Sequence, residues 1–181
     1  MERNIKNASK IKLLALDVDG VLTDGNLNIG AEGELFKAFN ARDGLGLSCL
    51  LRSGVRVAII TGRKSAIIHR RAEELGITEL YEGIKDKRKT LADLAAAEGL
   101  GQEEIAYMGD DLNDLPALLY AGLACAPADA APEVISASSF VAANNGRRGA
   151  VREAAELILK AQGKWNEIVN AYMKQGQGDS Q

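Results

Sequence analysis

The stretch LLALDVDGVLTDG, residues 13–25, is the most informative part of the chain. It begins with an apolar run that is typical of a buried strand and continues into a loop with three carboxylates, Asp17, Asp19 and Asp24. In an open parallel sheet, ligands bind beyond the carboxyl ends of the strands, which is where these acids fall. Like charges this close raise one another's pKa unless a cation lies between them. The stretch therefore predicts a cation-binding site at the end of a core strand.

The rest of the chain alternates short apolar runs with helical patterns, which predicts strands and helices in turn. We expect an α/β fold: a three-layer Rossmannoid parallel sheet with helices on both faces, forming one domain over residues 1–181. The predicted strands are 11–17, 55–61, 103–110, 122–127 and 139–143. The predicted helices are 44–52, 65–75, 87–98, 114–121 and 148–161.

Two segments depart from this alternation. Residues 25–40 alternate apolar and polar side chains around the turn Gly30–Gly33, which predicts a β-hairpin that protrudes from the sheet. Residues 175–181 have the polar, glycine-containing composition of a flexible tail.

Composition excludes several classes of function. The 181 residues are 46% hydrophobic with a net charge of −3, so no basic patch predicts a nucleic-acid partner. No apolar run is long enough for a membrane span, and residues 1–10 lack the apolar core of a signal peptide, so we expect a cytoplasmic protein. Cys49 and Cys125 lie in apolar segments and are expected to be buried structural thiols.

Further polar residues fall at the ends of the other predicted strands. Thr61 and Gly62 end the second strand, Asp110 follows the third, and Lys87 opens the helix between them. Mg²⁺ prefers oxygen ligands and keeps several waters, so a few protein oxygens suffice to hold it beside a phosphate. We expect the ligands to be the Asp17 carboxylate, the main-chain oxygen of Asp19 and the Asp110 carboxylate.

The spacing of the first two acids suggests a reaction. Residues i and i+2 after a strand point to a similar side, so Asp17 and Asp19 can flank one phosphorus atom. Asp17 is the predicted nucleophile and forms an aspartyl phosphate. Asp19 is the predicted general acid that protonates the leaving alcohol, and in the second step it is the general base that activates water. Thr61 and Lys87 would bind the phosphoryl oxygens.

Several assignments stay open at this point. Lys85 is the alternative to Lys87, and Asp111 and Asp114 could either cap the next helix or orient the ligands. Asp24 is expected to form a turn rather than bind a ligand. Four further side chains receive structural expectations: salt bridges or interface contacts for Lys37 and Arg42, a surface position for His69, and a packing role for Trp165.

Four motifs in order resemble the haloacid dehalogenase superfamily of phosphotransferases: DVDGVLT, the Thr61 of ITGR, the Lys87 of KDKRK, and GDDLND. The resemblance implies a Mg²⁺-dependent phosphatase. The segments FNARDGLGL, ELGITELYEGIKDK and RRGAVREAAELIL further resemble the 3-deoxy-D-manno-octulosonate (KDO) 8-phosphate phosphatases, which act in lipopolysaccharide biosynthesis. The substrate contacts that this resemblance implies are Asp19, Thr61, Gly62, Arg63, Lys87 and Arg148.

The resemblance also implies a capless subclass, in which the hairpin stands in place of a cap domain and a neighbouring subunit closes the site. A homotetramer with active sites near its interfaces is the implied assembly. Two other functions stay open. One is a phosphatase for a nine-carbon sialic-type sugar acid 9-phosphate, against which Arg63 argues because such relatives carry an acid there. The other is a receiver-like switch that is phosphorylated on aspartate without rapid turnover.

Overall fold

The computed structural model describes residues 8–175, so the expected tail at 175–181 lies outside the described residues apart from Gln175. Within residues 8–175, no helix is both long and apolar enough to cross a bilayer. The strands are β1 Leu13–Leu16, β2 Asn28–Gly30, β3 Gly33–Phe36, β4 Arg56–Ile60, β5 Glu79–Tyr81, β6 Ile105–Met108, β7 Leu123–Ala126 and β8 Phe140–Val141. The helices are α1 Ala41–Arg52, α2 Ala66–Leu75, α3 Lys87–Glu98, α4 Leu115–Tyr120, α5 Pro132–Ala137, α6 Ala150–Ala161 and α7 Trp165–Gln175.

Six strands form one sheet in the order β5-β4-β1-β6-β7-β8, and every neighbouring pair is parallel. The first strand lies at the centre, where Leu14 pairs with Val57 of β4 on one side and Ala106 of β6 on the other. The predicted parallel α/β sheet is confirmed. This order brings the carboxyl ends of β4, β1 and β6 next to one another.

Alternate residues of the central strands face two separate hydrophobic cores. Leu14 and Leu16 pack with helices α1, α2 and α6, whereas Leu13 and Ala15 pack with α3, α4 and α5. All four of these side chains are fully buried. Because both faces of β1 are covered by helices, its sequence is apolar throughout rather than alternating.

The predicted hairpin is confirmed, with shorter strands than the 25–40 interval. The strands β2 and β3 pair antiparallel in a separate two-stranded sheet. Large apolar side chains on it are exposed: Ile29 at 61% and Leu35 at 64%. The hairpin therefore presents an apolar surface that the rest of the described chain does not cover.

Element boundaries differ from the sequence prediction where local capping decides them. Helix α1 begins at Ala41 rather than residue 44, because the Asn40 side chain accepts a hydrogen bond from the main-chain N–H of Arg42 at 2.8 Å. Helix α6 begins after Gly149, whose φ of +111° leaves Arg148 in the preceding loop. Sequence reasoning missed β5 and α5, which are three and six residues long and too short for a periodic pattern.

Candidate active site

Three residues predicted to be catalytic or metal-binding converge at the carboxyl edge of the sheet. Asp17 follows β1 directly, Thr61 follows β4, and Asp110 lies two residues beyond β6. They line one cavity of about 270 Å³. The remaining lining residues are Asp19, Gly25, Leu27, Gly62, Arg63, Asp111 and Asn113. Sequence reasoning had not singled out Gly25, Leu27 or Asn113, which carry no charge that would mark them.

A buried lysine lies beneath this cavity. The Lys87 ammonium contacts Asp17 Oδ2 at 2.8 Å and Asp114 Oδ1 at 2.7 Å, and its side chain is 2% exposed. Burial opposes the charge of Lys87, but the two carboxylates outweigh burial and raise its pKa. Lys85, the alternative from sequence, is exposed. Of the two lysines, Lys87 is therefore the one that contacts the carboxylates at the cavity, and its catalytic role stays a prediction.

Asp114 organises the loop that carries Asp110. Its fully buried carboxylate accepts hydrogen bonds from the Tyr107 hydroxyl at 2.7 Å and from the main-chain N–H groups of Asp110 at 3.0 Å and Asp111 at 3.3 Å. The side chain of Asp111 instead accepts from the N–H of Leu112 at 2.8 Å, at the start of a short 3₁₀ turn. Asp114 therefore takes both of the roles left open, since it orients the N–H of Asp110 and completes a capping box with Asp111.

Burial and crowding disfavour negative charge at this edge of the sheet. Burial, followed by the nearby Asp114 carboxylate, raises the pKa of Asp17 to about 6. Burial and the carboxylates of Asp17 and Asp114 raise the pKa of Asp110 to about 7. Among residues 8–175, no side-chain cation pairs with Asp110. The site therefore carries more carboxylate than its own cation compensates.

A divalent cation fits this arrangement. Asp17, Asp110 and Asp114 each offer a carboxylate oxygen, and the three oxygens lie within 4.8 Å of one another. Asp17 Oδ1 is buried and has no hydrogen-bond partner in the part of the chain that the structure describes. A buried oxygen in this state costs free energy unless a ligand satisfies it. Hard oxygen donors of this kind suit Mg²⁺.

Two glycines allow the loops of the site to approach closely. A Cβ on Gly20, which has φ +87°, would lie 1.9 Å from Asp110 Oδ2. A Cβ on Gly146 would lie 1.9 Å from the main-chain oxygen of Gly20. The loop after β1 is therefore packed between the Asp110 carboxylate and the segment after β8, and side chains at either position would force these segments apart.

The base of the hairpin contributes an ion pair to the site. The sequence predicted a salt bridge or an interface contact for Lys37 but did not predict its partner. Lys37 was expected to form a salt bridge, and its partner is the proposed acid: Lys37 Nζ lies 2.5 Å from Asp19 Oδ1. It also lies 3.0 Å from Glu34 Oε1, and its side chain is 2% exposed. Burial opposes the charge of Lys37, but the hydrogen bonds that its ammonium donates to Asp19 and Glu34 raise its pKa, so it is a cation at neutral pH.

The other predicted positions fall into two groups. Arg63 lies at the cavity with its Nε 3.8 Å from Asp19 Oδ2, and half of its side chain is exposed. Arg148 is exposed and is not among the residues that line the cavity, so its substrate contact stays a prediction.

The structural expectations for His69, Trp165 and the two cysteines are confirmed, whereas Arg42 forms no salt bridge within residues 8–175 and its expected contact stays a prediction. His69 lies at the surface, where it pairs with Glu82 at 2.6 Å. Trp165 packs against the core beneath α7. Cys49 and Cys125 are buried, free thiols, and burial raises the pKa of Cys125 to about 12.

We expect Mg²⁺ affinity to fall as the pH is lowered from 8 to 5. In the metal-free protein, burial and the neighbouring carboxylates raise the pKa of Asp110 to about 7 and that of Asp17 to about 6, so protons compete with the metal. Each displaced proton weakens binding by up to about tenfold per pH unit below the corresponding pKa. Isothermal titration calorimetry in buffers of different ionisation enthalpy measures both the affinity and the protons released.

The control for this measurement is Asp110→Asn, which removes one titrating group. It should bind Mg²⁺ more weakly at pH 8 and lose the part of the pH dependence centred near pH 7. Equal Mg²⁺ affinity of the unmodified protein at pH 8 and pH 5 would contradict the assignment of these carboxylates as ligands.

Comparisons with known proteins agree with this geometry. A family model described as haloacid dehalogenase-like hydrolase matches residues 76–154. The chain is 48% identical over 163 residues to the 3-deoxy-D-manno-octulosonate 8-phosphate phosphatase KdsC of Escherichia coli K12, covering 90% of this chain and 87% of that protein. It is also 48% identical over 160 residues to KdsC of Yersinia pestis, covering 88% and 86%.

Solved structures give the same result. The phosphatase of this name from Moraxella catarrhalis, crystallised with a magnesium ion, a phosphate ion and KDO, superposes with a TM-score of 0.93 at 42% identity, covering 95% of this chain and 99% of that chain. The Yersinia pestis phosphatase superposes with a TM-score of 0.89 at 46% identity, covering 91% and 89%. The chain therefore belongs to the KdsC family of haloacid dehalogenase-like hydrolases and is a phosphoric monoester hydrolase.

Proposed function

We propose that the protein is a Mg²⁺-dependent phosphatase that converts KDO 8-phosphate to the free sugar acid and inorganic phosphate through an aspartyl phosphate on Asp17. The observation that carries this proposal is the state of the Asp17 carboxylate. Its Oδ2 is held by Lys87 at 2.8 Å, while its Oδ1 is buried without a partner in the residues described here. One oxygen is thus anchored, and the other is left to engage a ligand.

In the first step, Asp17 attacks the phosphorus of the bound ester. A bond forms between the Asp17 carboxylate and phosphorus, and the bond from phosphorus to the sugar oxygen breaks with its electron pair going to that oxygen. Asp19 gives its proton to the departing oxygen, which releases the sugar acid as a neutral alcohol. Thr61 and Lys87 bind the phosphoryl oxygens while the charge redistributes.

In the second step, the same residues release phosphate. Asp19, now a carboxylate, takes a proton from a water molecule, whose oxygen attacks phosphorus as the bond to Asp17 breaks. The products are inorganic phosphate and a free Asp17 carboxylate, and Asp19 is again protonated. Asp17, the main-chain oxygen of Asp19 and Asp110 would hold Mg²⁺, with Asp114 beside them, and the ion supplies positive charge that offsets these carboxylates and the phosphoryl group.

The substrate assignment rests on the size and charge of the cavity and on the relatives. A cavity of about 270 Å³ suits a small phosphorylated molecule. Arg63 at its edge offers a cation to the carboxylate of a sugar acid. The same residue disfavours the nine-carbon alternative. The receiver-like alternative is set aside because the relatives are phosphatases.

The cellular setting and the assembly are part of the proposal. The names of the relatives point to KDO metabolism, and the protein is proposed to act in lipopolysaccharide biosynthesis in the cytoplasm. The exposed apolar side chains of the hairpin, including Ile29 and Leu35, support association with copies of the same chain. A homotetramer would bury these side chains and wall the active sites. Neither a nucleic acid nor a membrane is proposed as a partner.

A substrate panel tests the proposal. Purified protein with Mg²⁺ is assayed for phosphate release from KDO 8-phosphate, a nine-carbon keto-sugar acid 9-phosphate, and unrelated sugar phosphates. We expect KDO 8-phosphate to give the highest kcat/KM and exhaustive chelation to abolish turnover. Equal rates across unrelated sugar phosphates, or full activity after chelation, would refute the proposal.

Arg63→Met should separate binding of the sugar acid from phosphoryl transfer. We expect KM for KDO 8-phosphate to rise about tenfold, since one charge-assisted contact at a half-exposed side chain is lost. The rate with p-nitrophenyl phosphate, which has no sugar carboxylate, should change little. Arg148→Met is the matched variant for the second predicted contact. An equal loss on both substrates in Arg63→Met would indicate a general defect and contradict a substrate-binding role.

A further inference from the structure

The cation buried at the hairpin base touches the proposed acid rather than the cavity. Lys37 lies one residue after β3 and does not line the cavity, yet its ammonium is 2.5 Å from Asp19 Oδ1. At 2% exposure, the side chain has little access to solvent or to a ligand. A buried lysine with this geometry acts on Asp19, not on the substrate.

A short chain of contacts fixes Lys37 in turn. Glu34 of β3 accepts from Lys37 at 3.0 Å, and the Ser65 hydroxyl donates to the other oxygen of Glu34. Ser65 caps the N-terminus of α2 by accepting from the N–H of Ile68. The ammonium that holds Asp19 is therefore tied both to the hairpin and to a helix of the main domain.

The consequence for Asp19 is that its two oxygens differ. Oδ1 is engaged by Lys37, whereas the nearest cation to Oδ2 among the described residues is the Arg63 Nε at 3.8 Å, too far for a direct hydrogen bond. A carboxyl group that is anchored at one oxygen can no longer rotate freely. Because proton transfer requires hydrogen-bond distance to the reacting oxygen, such an anchor decides whether Asp19 can reach the leaving group.

We propose that Lys37 is a positioning residue that fixes the Asp19 carboxyl so that Oδ2 faces the leaving-group oxygen. The hairpin thus contributes to catalysis within its own chain, in addition to any contact with another copy. This inference rests on the proposed function for the role of Asp19 as the acid, and it assigns to Lys37 no contact with substrate.

The test compares two esters whose leaving groups differ in their need for a proton. An alkyl phosphate such as KDO 8-phosphate or glycerol phosphate leaves as a poor alkoxide without an acid, whereas p-nitrophenolate leaves readily. In Lys37→Met, we expect kcat/KM for the alkyl esters to fall about 10²-fold, the lower range for loss of general acid catalysis. The fall for p-nitrophenyl phosphate should be less than about fivefold, since its leaving group needs little protonation.

Two further variants sharpen the result. Lys37→Arg keeps a cation, so its ratio of alkyl-ester rate to aryl-ester rate should be close to that of the unmodified protein. Lys12→Met is the matched control, because Lys12 forms an exposed ion pair with Glu104 at the opposite end of β1, and it should leave the ratio unchanged. If Lys37→Met does not fold, Glu34→Gln tests the same proposal, because it removes one of the two carboxylates that hold Lys37. We then expect a smaller fall in the ratio of the alkyl-ester rate to the aryl-ester rate.

The outcomes separate the two proposals. Equal falls on alkyl and aryl esters, or no fall on either, would overturn the role of Lys37. If the unmodified enzyme shows no preference for KDO 8-phosphate, the proposed substrate is wrong. The ratio measured with glycerol phosphate and p-nitrophenyl phosphate still tests Lys37 in that case.

Discussion

Asp17→Asn should abolish turnover, with kcat falling by roughly 10⁴-fold or more, because the amide cannot form the covalent intermediate. The protein should remain folded. Burial raises the pKa of Asp17 to about 6, so the folded state disfavours the charge that the substitution removes. Phosphate release from KDO 8-phosphate at saturating Mg²⁺ measures the rate, and circular dichroism checks the fold.

Asp93→Asn is the matched control, since Asp93 lies exposed on α3 in an ion pair with Lys89. It should leave the rate within about twofold, as expected for a surface change remote from the cavity. Acid-quenched enzyme should carry a phosphoryl group on the peptide containing Asp17 in the unmodified protein and lack it in Asp17→Asn. Substantial turnover by folded Asp17→Asn would remove this residue from the reaction.

Lys87→Met should be the most damaging substitution for stability among the site residues. Removing Lys87 leaves the buried carboxylates of Asp17 and Asp114 without the cation that contacts both. Breaking a buried pair in this way costs about 3–5 kcal/mol of unfolding free energy. We also expect kcat to fall by roughly 10³-fold, since a positive charge on the transferring phosphoryl group is lost. Urea denaturation of the metal-free protein measures the first effect.

The stability loss in Lys87→Met should depend on pH. Without the lysine, the pKa of Asp17 rises further above its unfolded value, so the folded state takes up protons that the unfolded state does not. The destabilisation should therefore be larger at pH 8 than at pH 5, and Mg²⁺ should reverse part of it. Lys89→Met, two residues away in an exposed pair with Asp93, should produce no measurable change. A loss in Lys87→Met that does not vary with pH would contradict the account based on buried charge.

The parts of the site that sequence predicts are those fixed by strand ends. Asp17, Thr61 and Asp110 each follow an apolar run, and parallel strands place such residues at one edge whatever the details of packing. The sequence also predicts the hairpin, because alternation of side chains over a glycine turn is a local signal. Burial then distinguishes Lys87 from Lys85, which no pattern along the chain could do.

The contacts that sequence does not predict depend on how separate segments approach one another. The pair formed by Lys37 and Asp19 joins residues on two sides of a hairpin, and periodicity indicates faces but not the distance between the hairpin and the loop. Asp114 could have capped a helix or oriented its neighbours. It does both, and the hydrogen bonds that it accepts from Tyr107 and Asp110 form only once β6 and the loop are folded.

The contact between Gly146 and Gly20 limits how this scaffold can diverge. Even a methyl group at position 146 would overlap the main-chain oxygen of Gly20, and the loop that bears Asp19 cannot retreat without meeting the Asp110 carboxylate. A substitution of Gly146 during evolution therefore requires a compensating change in the loop that contains Gly20, which is remote from it in the sequence. New specificities on this framework should arise instead from residues at the cavity mouth, where Leu27 and Arg63 have room to vary.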